Sequence, residues 1–280
     1  MANETCLITG SSSGIGKAIA FELSKLGFNL ILLCRDKNRG EEALDYISRV
    51  PHPGNHELVL ADLCDFESIK ECIRTIKSKY KQLDVLINNA AVFRSDRKLN
   101  KNGIELQFAV NYLAPYLVTN LLLDILKKSE SARIINMAST SHYPGRIHFE
   151  DISFTKRYNG LKAYEQSKLA LVLFTYELAR RLQGTNISAN CADPGRINTH
   201  IGDKESDGIF KWLWILNKPI LKSVESGAKT PVYLATSDSG KYNSGKYFKN
   251  CKEVKSSKSS YNEELARKLW DLSSKLTLLN

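Results

Sequence analysis

The stretch Thr9-Gly10-Ser11-Ser12-Ser13-Gly14-Ile15-Gly16 joins an apolar run, Thr5–Thr9, to a segment of helical periodicity, Ile15–Leu26. A glycine-rich loop between a strand and a helix is typical of a phosphate-binding turn. We expect Gly10 to permit a tight turn, and Gly14 and Gly16 to let the backbone and the helix approach closely. Free N–H groups at the helix start can then hold a pyrophosphate. The spacing G-x-x-x-G-x-G is not the usual G-x-G-x-x-G, so the strand-loop-helix context carries the prediction.

The rest of the chain continues this alternation of short apolar runs and longer helical segments. Strands are predicted at Thr5–Thr9, Leu30–Leu33, Leu58–Leu60, Val85–Ile87, Ile134–Met137, Ile187–Cys191 and Lys246–Phe248. Helices are predicted at Ile15–Leu26, Glu41–Val50, Phe66–Tyr80, Leu106–Leu126, Tyr164–Leu182 and Glu263–Leu276. Alternating strands and helices form βαβ units around a parallel sheet. The pattern predicts one α/β domain over residues 1–280, with a seven-stranded, mostly parallel, doubly wound sheet flanked by helices.

Composition excludes several classes of protein. The chain has 280 residues, of which 42% are hydrophobic and 25% charged, and this excludes collagen-like, low-complexity and wholly disordered chains. The formal net charge of +10 favours anionic partners without choosing among phosphates, acidic lipid and nucleic acid. The six cysteines show neither a C-x-x-C pair nor metal-ligand spacing, so we expect reduced thiols and no metal site. Without a continuous apolar span or an N-terminal signal, we expect a cytoplasmic protein.

Two segments depart from the strand–helix rhythm. Residues 200–224 contain the almost continuously apolar stretch Ile209–Leu216, which we interpret as an insertion forming a lid over the substrate pocket. Peripheral contact with a membrane and contact with a second subunit remain alternatives for this stretch. Lysines recur every third residue from Lys246 to Lys258, which indicates a solvated loop. No nucleic-acid-binding motif accompanies them, so no nucleic-acid partner is expected.

The residues after the second and third predicted strands bear on cofactor choice. An acid at the end of the second strand would bind the ribose of NAD, but Cys34 is followed there by Arg35, whose guanidinium suits the 2′-phosphate of NADP. NAD remains an alternative cofactor because of Asp36: if the second strand ends one residue later than predicted, Asp36 would be the partner of the ribose. Asp62 either accepts from the adenine amino group or caps the helix that begins near Phe66.

Four residues form a candidate catalytic set. Tyr164 and Lys168 lie four apart on one helical face, and the ammonium, with a positive nicotinamide ring, would lower the pKa of the phenol toward operating pH. Tyr164 could then exchange a proton with a carbonyl oxygen. Ser139 follows the fifth strand and could hold the substrate oxygen, and Asn111 could hold a water beside Lys168. The amides of Asn88-Asn89-Ala90 reach the same crevice, either for structural hydrogen bonds or for cofactor contact.

These motifs, in this order, resemble the short-chain dehydrogenase/reductase family over nearly the whole chain: T-G-x-x-x-G-I-G, N-N-A-A, Asn111, Ser139, Tyr164-x-x-x-Lys168 and Pro194-Gly195. The resemblance implies a doubly wound Rossmann fold and a catalytic tetrad of Asn111, Ser139, Tyr164 and Lys168, with Tyr164 as the general acid/base. The cofactor-binding residues that it implies are Gly10, Ser12, Ser13, Gly14, Ile15, Gly16, Arg35, Asp62, Leu63, Asn89, Ala90, Tyr164, Lys168, Pro194, Gly195, Ile197 and Thr199.

Within the family the chain is most similar to the retinol dehydrogenase branch, through Cys34-Arg35-Asp36, the run from Gly145 to Phe149, the helix from Tyr164 to Leu182 and the tail Leu269-Trp270-Asp271-Leu272-Ser273. That resemblance implies NADP(H) and a hydrophobic aldehyde, ketone or alcohol as substrate. A general carbonyl or steroid-type reductase, and a non-catalytic dinucleotide-binding regulator, are the alternatives. Homodimers are an open expectation, since the two long helices often pair subunits in the family.

Two features depart from this branch. Its members often carry an N-terminal membrane anchor, and we expect none here, which weakens a membrane assignment. Asp193 stands where a His or Asn often precedes the Pro-Gly pair. A carboxylate at the nicotinamide end would change the polarity around the reacting carbon. Of the expectations drawn from this branch, the identity of the substrate is therefore the one that Asp193 affects most.

Overall fold

The computed structural model describes residues 4–51, 54–195 and 223–279, and these form an α/β fold around one sheet. The strands are β1 (Thr5–Thr9), β2 (Asn29–Cys34), β3 (His56–Leu60), β4 (Val85–Asn88), β5 (Ala132–Met137), β6 (Ile187–Asp193), β7 (Lys246–Lys249) and β8 (Lys252–Glu253). Their order across the sheet is β3-β2-β1-β4-β5-β6-β7-β8. The first seven run parallel, and β8 pairs antiparallel with β7. The predicted doubly wound sheet is confirmed.

The helices lie between the strands along the chain. They are α1 (Gly14–Lys25), α2 (Lys37–Ser48), α3 (Phe66–Lys79), α4 (Leu106–Leu126), α5 (Gly160–Arg181), α6 (Val224–Thr236), α7 (Asp238–Tyr242) and α8 (Glu263–Thr277). Short 3-10 turns occupy Thr140–His142, Phe149–Asp151 and Lys258–Tyr261.

The sheet has eight strands within the described ranges, where the sequence predicts seven. The additional strand, β8, has two residues and returns along β7 after Asn250 and Cys251, whose φ angles are 50° and 60°. Both residues of β8 are exposed, so no apolar run marks it in the sequence.

Successive residues of each strand point to opposite faces of the sheet. Both faces are apolar, and helices therefore cover the sheet on both sides. Leu7, Ile31 and Leu86 pack with side chains of α3, α4, α5 and α8. Cys6, Ile8 and Leu30 point the other way and pack with α1, α2 and α6. The strand order reverses between β1 and β4, so the loops that follow these two strands meet at the edge where doubly wound folds bind ligands.

Helix α4 is the one helix, among the described residues, long and apolar enough to cross a membrane. It has 21 residues, but 78% of its most apolar window is buried inside the protein, as in the core helix of a globular domain. Its segment Ala109–Leu113 is a π-helical turn, a feature often found at functional sites. Asn111 lies in the middle of that turn.

Helix α8 covers the outer faces of α4 and α5. The hydroxyl groups of Tyr112 and Ser273 are hydrogen-bonded, and Trp270 packs edge-on against Tyr116 with ring centroids 5.0 Å apart. The guanidinium of Arg181 stacks over the Trp270 ring at 4.2 Å. The outer faces of α4 and α5 are therefore covered in part by α8.

The predicted lid insertion at residues 200–224, with its apolar stretch Ile209–Leu216, lies outside the described residues except for its last two. Of these, Ser223 caps α6 and Val224 is its first residue.

Candidate active site

The loop after β1 is a tight turn closed onto the sheet. The Gly10 N–H donates to the Leu33 carbonyl at 2.8 Å, and Gly10 and Gly14 have φ angles of 65° and 54°, where glycine is favoured. A Cβ on Gly16 would lie 2.3 Å from the Gly10 carbonyl oxygen, so the helix and the loop meet there. A Cβ on Gly14 would meet nothing within 4 Å, so the close approach expected of Gly14 is wrong and its backbone conformation is what requires glycine.

Asn89 joins this loop to the end of β4. Its side-chain Nδ2 donates to the carbonyls of Thr9 at 2.9 Å and Gly10 at 3.2 Å. The backbone N–H groups of Asn89 and Ala90 donate to the Thr9 hydroxyl at 2.9 and 3.0 Å. Of the two alternatives left by the sequence, the structure shows the structural hydrogen bonds, and both predicted residues lie beside the glycine loop.

The N-terminus of α1 is suited to an anion. Ser13 is its N-cap residue but makes no side-chain capping bond, and the first turn holds no acidic residue. The Ser12 side chain lies beside the Cys34 thiol, and Ile15 packs on the apolar layer below. Unpaired N–H groups and the helix dipole favour a phosphate at such an end. The residues present therefore fit a dinucleotide pyrophosphate.

Arg35 is exposed directly after β2, at the same end of the sheet as this loop. The neighbouring Asp36 is the N-cap of α2, and its Oδ1 accepts from the Arg39 N–H at 3.0 Å. One oxygen of Asp36 is thereby engaged in the protein, while the guanidinium of Arg35 faces solvent.

Asp62 lies just beyond β3 and shapes the turn there. Its Oδ1 accepts from the Cys64 N–H at 3.1 Å, whereas the cap of α3 is Asp65, which accepts from Glu67 and Ser68. The alternative that Asp62 caps this helix is therefore wrong; contact with an adenine stays a prediction. Leu63 is half-buried against the core.

Tyr164, Lys168 and Ser139 converge at the end of β5. The Ser139 hydroxyl lies beside that of Tyr164 and lowers its pKa, and the Lys168 Nζ lies 5.6 Å from the centroid of the Tyr164 ring. Lys168 is 3% exposed, and its Nζ donates to the Met137 carbonyl at 2.9 Å. A phenol, a hydroxyl and an ammonium thus meet at the carboxyl end of a parallel strand, as the sequence predicts.

Burial dominates the electrostatics of this cluster. Desolvation raises the pKa of Tyr164 to about 12, although the Ser139 hydroxyl lowers it and the charge of Asp193 raises it. Desolvation lowers the pKa of Lys168 to about 8, with Asp193 and Cys191 acting in the opposite sense. The expected lowering of the phenol pKa is therefore not achieved by the chain's own groups, because desolvation outweighs the effect of Ser139.

The side chain of Asn111 is hydrogen-bonded to the loop after β4. Its Oδ1 accepts from the Val92 N–H at 2.7 Å, and its Nδ2 donates to the Val92 carbonyl at 2.9 Å and to the Ser167 hydroxyl at 3.1 Å. The sequence places Asn111 beside Lys168 as a water-holding residue; in the structure its amide bonds to Ser167, the residue before Lys168, and the water-holding role stays a prediction. With its amide so engaged, Asn111 fixes the loop and the start of the catalytic helix.

Further buried polar groups lie behind the cluster, and of these the sequence singles out only Asp193. Asp193 is 1% exposed; its Oδ1 accepts from the Gly195 N–H at 2.8 Å and its Oδ2 from the Tyr247 hydroxyl at 2.7 Å. His142 binds the Ser139 carbonyl through Nδ1 at 2.6 Å and accepts from the Ser257 N–H through Nε2 at 3.0 Å. Since Nε2 accepts, the ring is neutral with its proton on Nδ1. The only sequence signal was the unusual acid before Pro194-Gly195.

Gly195, with a φ angle of 82°, ends the described part of this region. Ile197 and Thr199, predicted to contact the cofactor, lie outside the described residues. In the ranges 4–51, 54–195 and 223–279 no group of three or more His, Cys, Asp or Glu residues is placed to hold a metal ion. All six cysteines are free thiols.

The fold and this cluster define a nicotinamide-dinucleotide-dependent class of oxidoreductase, and comparison with known proteins gives the family. Residues 4–209 match the family model described as short chain dehydrogenase, and the chain belongs to that family. It is similar to retinol dehydrogenase 14 of Homo sapiens, with 38% identity over 98% of this chain and 86% of that protein. Retinol dehydrogenase 13 of Mus musculus is 40% identical over 98% of this chain and 83% of that protein.

A solved structure confirms the fold. The crystal structure of an uncharacterized protein from Mycobacterium Paratuberculosis superposes with a TM-score of 0.80, at 31% identity, over 99% of this chain and 94% of that one. The chain is thus a retinol dehydrogenase-like oxidoreductase of the short-chain dehydrogenase family.

Proposed function

We propose that this chain is an NADP(H)-dependent oxidoreductase that interconverts a hydrophobic aldehyde or ketone and its alcohol, with Tyr164 as the general acid/base. The observation that carries this function is the convergence of Tyr164, Ser139 and Lys168 at the carboxyl end of β5. Each is buried or half-buried, so a carbonyl oxygen there would meet two hydroxyl groups in a site with little water.

A bound nicotinamide dinucleotide supplies the hydride for reduction or accepts it in oxidation. During reduction the Ser139 hydroxyl donates a hydrogen bond to the substrate carbonyl oxygen and orients it. Tyr164 transfers its hydroxyl proton to that oxygen as negative charge develops there, and the alcohol forms. In oxidation the phenolate of Tyr164 removes the alcohol proton. Lys168 stabilises the phenolate by its charge, and Asn111 keeps the helix carrying both residues against the loop at Val92.

The dinucleotide would lie across the ends of β1, β2 and β4. The N-terminus of α1 would hold the pyrophosphate, and Arg35 would pair with the 2′-phosphate, for which a guanidinium is better suited than a carboxylate. Support for NADP over NAD comes from Asp36, whose capping bond to Arg39 engages one of the oxygens that a ribose would need. Asp62 would accept from the adenine amino group.

The substrate class rests on the relatives. Two proteins that share 38% and 40% of their residues with this chain are retinol dehydrogenases, which favours an apolar aldehyde or alcohol. A general carbonyl or steroid-type reductase is the second candidate, favoured by Asp193, because a buried carboxylate near the reacting centre alters its polarity. We place the protein in the cytoplasm without a nucleic-acid partner, with peripheral membrane contact and homodimers as open alternatives.

The test is the absorbance of NADPH, and separately of NADH, with a panel running from short to long-chain aldehydes, retinal and ketosteroids. We expect selective oxidation of NADPH with the long apolar aldehydes. Ketosteroid turnover without aldehyde turnover would select the second candidate.

Tyr164→Phe provides the mechanistic control. It should lower kcat about 1,000-fold or more, since general acid catalysis contributes that much, while NADPH binding remains. A Tyr164→Phe protein with near-normal kcat would contradict the proposed mechanism. Binding of NADPH with no turnover of any substrate would favour the non-catalytic regulator.

A further inference from the structure

The end of β6 carries a buried carboxylate directly behind the catalytic pair. Asp193 is the last residue of this strand and is 1% exposed. Both of its oxygens accept hydrogen bonds, from the Gly195 N–H and the Tyr247 hydroxyl, as the oxygens of an ionised carboxylate do. Among the residues that the structure describes, no lysine or arginine forms an ion pair with Asp193, so its negative charge acts on the surrounding groups.

The sheet register brings this charge close to Lys168. Met137, whose carbonyl accepts from the Lys168 Nζ, lies opposite Ala192 in the β5–β6 ladder. The next pair continues the ladder, because the Ala138 N–H donates to the Ala192 carbonyl at 2.9 Å. Asp193 follows Ala192 immediately, so the carboxylate lies one position beyond the strand residue on which the ammonium is anchored.

We propose that Asp193 is a positioning residue of the reaction, which sets the working pH of the site by holding Lys168 protonated and Tyr164 in its neutral, proton-donating form. This inference rests on the proposed function for its consequence in turnover, but the charge coupling is a property of the protein itself. Asp193 does not touch the Tyr164 hydroxyl in the structure; it acts through its field and through Lys168.

The titratable and hydrogen-bonding groups around Asp193 come from four elements. They are Lys168 and Tyr164 on α5, Cys191 on β6, Tyr247 on β7, and His142 and Tyr143 in the segment after β5. Lys168 is the one cation among them, since His142 is neutral. The carboxylate raises the pKa of Lys168 against desolvation and also raises the pKa of Tyr164. Removing the charge should therefore lower both pKa values together.

The test compares Asp193→Asn and Asp193→His with the wild type. Asn keeps the size and the acceptor for Gly195 while removing the charge, and Tyr247→Phe removes one hydrogen bond while keeping the charge. The measurement is the pH profile of the reduction rate and of the oxidation rate. We expect the alkaline limb of the first profile and the acidic limb of the second to move about one pH unit lower in both Asp193 variants. In Tyr247→Phe both limbs should move much less.

A second readout needs neither cofactor nor turnover. Folded Lys168 loses its proton near pH 8 while the unfolded chain keeps it, so the contribution of Lys168 to the unfolding free energy should rise with pH from there. In Asp193→Asn this rise should begin at lower pH. If kcat falls but neither the pH limbs nor the stability profile moves, Asp193 has only a structural role and the inference is overturned. If the wild type shows no turnover, the proposed function fails, and the stability profiles alone decide the role of Asp193.

Discussion

The side chain of Asn111 holds the main chain of Val92 from both sides, with Oδ1 accepting from the Val92 N–H at 2.7 Å and Nδ2 donating to its carbonyl at 2.9 Å. An amide can do this because it carries an acceptor and a donor side by side. Ser167, which receives a third bond, in turn donates to the Tyr164 carbonyl at 2.8 Å. One buried residue thus ties the loop after β4 to the first turns of the catalytic helix.

We expect Asn111→Leu to lower the unfolding free energy by about 1–3 kcal/mol, because the Val92 amide and carbonyl lose partners that half-buried groups need. Turnover should fall as well, since the loop and the catalytic helix are no longer joined. Urea unfolding and steady-state kinetics measure the two effects. Asn120→Leu is the matched control, because the Asn120 amide bonds only to the Tyr116 carbonyl one turn earlier in the same helix. Equal losses in the two variants would contradict this role for Asn111.

Gly16→Ala should disrupt the phosphate loop more than Gly14→Ala. A Cβ at position 16 would lie 2.3 Å from the Gly10 carbonyl oxygen and 2.5 Å from the Asn89 Nδ2, so backbone would have to move. At position 14 there is open space and the cost is the left-handed backbone conformation, about 1–2 kcal/mol. Fluorescence titration with NADPH should show weak binding for Gly16→Ala and milder weakening for Gly14→Ala. The reverse order would be evidence against this account of the loop.

Arg35→Gln should weaken NADPH binding about 10-fold or more and leave NADH binding nearly unchanged, because only NADPH carries the 2′-phosphate. Dissociation constants for both cofactors give the ratio directly. Lys37→Gln is the control, because Lys37 is an exposed cation two residues after Arg35. Its Nζ lies 3.7 Å from the Glu41 Oε1 within its own helix. Equal losses for the two cofactors in Arg35→Gln would show that the guanidinium does not meet the 2′-phosphate.

Lys168→Met should change how stability depends on pH. Because burial lowers the pKa of folded Lys168 to about 8 from 10.5, the folded wild type binds fewer protons than the unfolded chain between these values. The contribution of Lys168 to stability therefore rises with pH in this window, and is absent below pH 8. Relative to Lys168→Met, the wild type should gain on the order of 1–2 kcal/mol between pH 8 and 9.5. Lys98→Met, at an exposed position, is the control and should follow the wild type. Parallel curves of unfolding free energy against pH for all three proteins would refute the prediction.

The sequence predicts the sheet well because buried parallel strands are continuous apolar runs. Both limits of β1 and the first residue of α3 agree with prediction. The starts of two other helices were predicted less well: α2 begins at Lys37, not Glu41, because Asp36 caps it, and α5 begins at Gly160, not Tyr164, because Asn159 accepts from the Lys162 N–H. Such caps depend on one local bond and leave no periodic signal.

The candidate site was predicted where residues lie in one motif and missed where they meet through space. Tyr164 and Lys168 share a helix, so their spacing gives their proximity. The partners of Asn111 are 19 and 56 residues away, and those of Asp193 include a tyrosine 54 residues away. Strand β6 was predicted to end at Cys191; it ends at Asp193, whose Oδ2 accepts from the Tyr247 hydroxyl.

The neutral ring of His142 links the Ser139 carbonyl to the backbone N–H of Ser257, a residue 115 positions beyond the histidine, so the position of the Ser139 backbone depends on that of Ser257. The same distant segment is tied in again where the Tyr143 hydroxyl donates to the Lys255 carbonyl. A scan of random variants would therefore record damaged catalysis from changes between residues 254 and 261, although none of those residues belongs to the catalytic cluster. Genetic maps of this enzyme should show two separated regions of sequence behaving as one functional unit.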